Sequence, residues 1–138
     1  VVGVGDHVWV SGAVGDGYAL WSWDGTRWTL LPEPPGLVVA VSIEGVLWTR
    51  WPDIHRGDGT RWEPICVSTE PYELVPHGGG AYLQTDEGWR FHDGTDLREV
   101  PGAPQGSLAF DGEVAWLATA LGVMTGSLPA PGAVLACP

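Results

Sequence analysis

The stretch Trp21-Ser22-Trp23-Asp24-Gly25-Thr26-Arg27-Trp28 sets three indoles around one Asp-Gly pair. Asp-Gly between apolar segments is a strong hairpin signal, because a tight turn needs the positive φ that Gly adopts freely. With Asp24 and Gly25 as a two-residue loop, Trp23 is expected opposite Thr26 and Trp21 opposite Trp28. The triplet returns at Asp58-Gly59-Thr60 and Asp93-Gly94-Thr95, at spacings of 34 and 35 residues. A fixed period of this length marks a repeat architecture.

Two further anchors keep the same phase. An aromatic among apolar neighbours recurs as Trp9, Trp48, Tyr82 and Trp116, at spacings of 39, 34 and 34. A Pro-Gly connector runs into an apolar stretch at Gly36, Gly106 and Gly132. Each unit therefore reads as an apolar strand, a turn (Ile43-Glu44-Gly45 in the second unit, Gly78-Gly79-Gly80 in the third), an aromatic-bearing strand, a variable loop, a third strand, Asp-Gly-Thr and a fourth strand. Thr125-Gly126-Ser127 is the last unit's degenerate form of that final turn. The expectation is an all-β chain of four four-stranded antiparallel meanders, covering residues 1–36, 37–72, 73–106 and 107–138.

One such meander cannot bury both its apolar faces, whereas meanders stacked radially can. In this the sequence resembles a β-propeller, with blades similar to those of Kelch-like and Asp-box repeat proteins. The resemblance spans the whole chain and implies a single domain of four short blades, standing alone or within a larger ring. The Asp-box pattern Ser-x-Asp-x-Gly-x-x-Trp is matched one residue short at Ser22 to Trp28, so no sialidase chemistry is carried over.

Trp9, Trp28, Trp48, Trp62 and Trp116 recur at equivalent positions, which is what packing between units requires. Trp89 takes the place of Leu20 and Ile54, four residues before each turn Asp, and is expected in the core. Trp21, Trp23 and Trp51 have no such counterparts: Trp21 aligns with His55 and Arg90, and Trp23 with Gly57 and His92. A position that changes between repeats is not dictated by their packing. Trp21, Trp23, Trp51, His55 and His92 are thus the candidate ligand-binding residues.

Composition narrows the function classes. Six Arg, no Lys and 17 acidic residues give a net charge of −11, which disfavours nucleic acid and anionic membrane surfaces. No apolar run approaches the roughly 18 residues of a membrane span. The four His lack metal-ligand spacing, no catalytic motif is present, and no cofactor is implied. Each turn Asp can bond its own backbone, without calcium or acid catalysis. A bridge between Cys66 and Cys137 would close about 70 residues and stabilise by about 4 kcal/mol. It requires Cα atoms within about 7 Å, which strands of different units rarely achieve, so two free thiols are expected.

The functional expectation is a non-catalytic binding or scaffolding module that engages a protein partner through one face. The alternatives are a glycan-binding lectin using the surplus Trp and His, and a carboxylate-dependent glycosidase. Gly132 to Pro138 resembles the start of a fifth unit. A closed four-unit ring, with this segment as a strap, is preferred to a ring completed by another chain.

Overall fold

The computed structural model describes residues 1–137 and contains only strands and turns. Its fifteen strands form four antiparallel sheets, each pairing strands in chain order. Sheet 1 holds β1 (Val2–Val4), β2 (His7–Val14), β3 (Gly17–Trp23) and β4 (Trp28–Leu30). Sheet 2 holds β5 (Leu37–Val41), β6 (Leu47–Arg50), β7 (His55–Gly57) and β8 (Trp62–Pro64). Sheet 3 holds β9 (Glu73–His77), β10 (Gly80–Thr85), β11 (Gly88–His92) and β12 (Leu97–Glu99). Sheet 4 has only β13 (Ser107–Asp111), β14 (Val114–Thr119) and β15 (Gly122–Gly126). The fourfold meander is therefore present, with a strand fewer than expected in the last unit.

The Asp-Gly-Thr turns are longer than the sequence pattern suggests. In sheet 1, Trp23 pairs with Trp28 and Trp21 with Leu30, so four residues, Asp24 to Arg27, form the loop. The reason is the Asp24 carboxylate. Its Oδ1 accepts from the Thr26 hydroxyl at 2.7 Å and from the Thr26 and Arg27 amides at 2.9 Å each. Satisfying three donors requires the chain to wrap around the carboxylate, which a two-residue loop cannot do. Asp58 repeats the cage with Thr60 and Arg61, and Asp93 with the amides of Thr95 and Asp96. Gly25 and Gly59 take φ values of 92° and 95°, as the turn demands.

The repeat extends to individual bonds. Leu20, Ile54 and Trp89 are all buried, as their shared position implies. Their carbonyls accept from the amides of Leu31, Ile65 and Val100 respectively, at 2.9, 2.8 and 3.1 Å. Gly36 and Gly106 also share a role: a Cβ at either would collide with a carbonyl oxygen, that of Trp51 or of Ala118. The connector glycines let the first strand of a unit lie against the end of its second.

The chain divides into two compact units, Val1–Cys66 and the part from Val67 onward, each built of two sheets. In the first, Trp9 and Leu20 of sheet 1 pack with Val38 and Leu47 of sheet 2, flanked by Val2, Val4, Val41 and Trp62. In the second, Tyr82 and Trp89 of sheet 3 pack with Leu108, Ala115 and Leu117 of sheet 4. Both sandwiches are tied across the sheets by the same kind of bond. The Val38 amide donates to Ser11 Oγ at 3.2 Å, and the equivalent Leu108 amide donates to Glu73 Oε1 at 3.1 Å. A side chain of the preceding sheet thus satisfies an edge-strand donor.

Two expectations are corrected at the C-terminal end. Residues 127–131 form no fourth strand after Gly126. The segment that follows does not open a fifth unit but lies along β12. The Gly132 amide donates to the Glu99 carbonyl at 2.8 Å, Glu99 to Ala133 at 3.1 Å and Leu135 to Leu97 at 2.8 Å. The outer edge of sheet 3 had unpaired backbone groups, and the tail satisfies them. The cysteines are not free thiols: Cys66 and Cys137 are both disulfide-bonded and, with no others in the chain, are partners. The expectation failed because the segment leading to Cys137 is not the first strand of a further unit.

Candidate functional site

The five candidate residues fall in four places. Trp21 and Trp23 lie on the same face of sheet 1, the one turned away from Trp9 and Leu20, since alternate residues of a strand face opposite sides. The pairing adds Val8, Val10, Trp28 and Leu30 to this face. Trp21, Trp28 and Leu30 are 42%, 50% and 56% exposed. The rings of Trp23 and Trp28 are 5.4 Å apart and tilted by 42°. Trp28 was expected to be buried structural packing; it is exposed because it shares the outer face of sheet 1.

Trp51 occupies the loop between β6 and β7 and is 45% exposed. Its φ of 61° makes it the only non-glycine among the described residues with positive φ. A bulky side chain in that region costs about 1–3 kcal/mol and persists only where the surroundings hold it. Two contacts do so. The Trp51 carbonyl accepts from the Leu37 amide at 3.3 Å, and the Arg50 guanidinium lies 4.6 Å from the indole centroid. The cation steadies the ring through its π-face. This Arg50–Trp51 pair was missed from sequence, because only adjacency hinted at it.

His55, on β7, is half-buried and tied to Thr49: its amide donates to Thr49 Oγ1 at 3.0 Å, and its Nδ1 lies 3.3 Å from the same oxygen. His92 is buried at the end of β11, where its Nδ1 accepts from the Gly94 amide at 3.1 Å. The His92 imidazole thus holds local backbone, while that of His55 meets the Thr49 hydroxyl. No group of three or more His, Cys, Asp or Glu among the described residues could hold a metal ion.

A concavity of about 330 Å³ in the first unit gathers Glu44, Arg56, Asp58, Arg61 and Glu63. Hydrogen bonds from the Arg61 and Thr60 amides and the Thr60 hydroxyl lower the Asp58 pKa to about 2. Asp24 is lowered to about 2 by the Thr26 hydroxyl and by the Arg27 and Thr26 amides. Asp93 is pushed well below the usual carboxylate range by the Asp96 amide and the Arg98 guanidinium. Carboxyls held ionised in this way cannot supply a proton near neutral pH, so the turn aspartates are unsuited to general-acid work.

No protein-family model, curated protein or solved structure matches this chain.

Proposed function

We propose that the four sheets are successive blades of a β-propeller, and that the chain is a non-catalytic binding module engaging a protein partner through the loop that carries Trp51. The observation behind the reading is the exposed indole, held at φ 61° with Arg50 against its face. Backbone strain at an exposed position is a feature of sites where a side chain is presented, because the fold gains no burial in return. A fixed indole also loses little freedom on binding, and Trp is enriched among the anchor residues of protein interfaces. The propeller reading rests on the two sandwiches, which stack consecutive units by equivalent contacts.

The test is binding of the wild-type chain and Trp51→Ala to a protein array and a glycan array in parallel. Truncating an anchor Trp costs about 2 kcal/mol or more. Protein ligands should therefore weaken about thirtyfold in Kd, with melting temperature unchanged. Glycans bound by the wild type and lost in the variant would replace this reading with the lectin one. Binding unaffected by the substitution would remove Trp51 from the site.

A further inference from the structure

Two exposed apolar sheet faces have counterparts in the sandwiches, and these show what such faces take up. In the first unit, the face of sheet 1 carrying the second-strand aromatic Trp9 is covered by the opposite-phase face of sheet 2, through Leu47 and Val38. In the second unit, the aromatic face of sheet 3, with Tyr82, is covered by the opposite-phase face of sheet 4, through Leu108, Ala115 and Leu117. The order is the same in both: the face carrying the second-strand aromatic is covered by the opposite-phase face of the sheet that follows.

Sheet 4 presents an aromatic face of its own. Trp116 lies between Val114 and Ala118 on β14, opposite Ala109 and Thr125, with Val123 opposite Ala118. Val114, Trp116 and Val123 are 46%, 46% and 68% exposed, so Trp116 is not the buried packing residue its recurrence suggested. Sheet 1 presents the complementary kind, the face opposite its own second-strand aromatic Trp9, with Val8, Val10, Trp21, Trp23, Trp28 and Leu30. Apolar faces of this extent on a soluble protein mark places where another surface docks.

We propose that the occupant is a second copy of this chain, associating head to tail: the Trp116 face of one copy packs on the Val8–Val10 face of the next. The chain itself displays both halves of a contact it already makes twice. Such an interface is heterologous, and two copies joined reciprocally close it. The inference rests on the observed sandwiches and stands whether or not Trp51 binds a partner.

The experiment measures mass by light scattering and sedimentation over a dilution series, for wild type, Val10→Arg and Trp116→Arg. Wild type is expected to form dimers or larger closed species. Each variant places a charge on one half of the interface and should weaken self-association about a hundredfold or more. Mixing the two variants should restore a one-to-one complex, because each retains the half that the other has lost. A wild type that stays monomeric throughout overturns the proposal, and so does a mixture that does not associate. If either variant fails to fold, radical footprinting of the wild type decides instead. Oxidation of Trp116 and Trp28 should fall as concentration rises while that of Trp51 stays constant, and concentration-independent oxidation of all three overturns it.

Discussion

The carboxylates of Asp24, Asp58 and Asp93 each accept bonds from donors two and three residues ahead, so each turn is stabilised most while its Asp is ionised. Their folded pKa values lie below the ordinary 3.8. The sign follows from linkage: the contribution is complete above about pH 4 and is lost as pH falls through the folded values, about 2 for Asp24 and Asp58 and lower still for Asp93. Urea midpoints at pH 5, 4, 3 and 2 for wild type and Asp58→Asn should show the two differing most at pH 5 and converging by pH 2. A constant gap across that window would mean that ionisation of Asp58 is irrelevant to the turn. The sequence made the turn legible through the triplet but not its length. Backbone pattern favours two loop residues, and only the side-chain bonds require four.

At the scale of elements, the period of 34 to 35 residues located the buried set Leu20, Ile54 and Trp89 correctly, because alignment to the turn Asp fixes their register. It misjudged the last unit. Gly126 and the Pro-rich segment behind it leave no strand to follow β15, and the tail goes to the edge of β12 instead, a choice set by unpaired groups that no local pattern reveals. Leu135→Pro removes the amide that donates to Leu97 and should detach the last residues from that edge. In hydrogen exchange the Glu99 amide, which donates to Ala133, should then exchange faster by about tenfold or more, with the Leu83 and Trp89 amides unchanged. Unaltered exchange at Glu99 would show that the tail adds nothing to the sheet. Among the candidate site residues, recurrence separated variable from repeated positions. It could not say which variable side chains, such as His92, the fold would bury.

For the whole molecule, the disulfide is the feature that placing the two cysteines in different units argued against. Closing a loop of about 70 residues restricts the unfolded chain and contributes about 4 kcal/mol. Reduction should therefore lower the urea midpoint substantially, and Cys66→Ala with Cys137→Ala should reproduce the loss without reductant. A double variant as stable as the oxidised wild type would show that the bond is incidental. The pairing order of the sheets carries a kinetic consequence as well. Every sheet joins only strands that are neighbours along the chain, while the tail reaches a strand some thirty-odd residues upstream. Contacts local in sequence form early because little chain must be closed to make them, whereas distant ones wait. Folding should thus run hairpin by hairpin within each meander, each caged turn seeding its own. The tail on β12 is then the closing step, and oxidation of Cys137, two residues beyond Leu135, follows it.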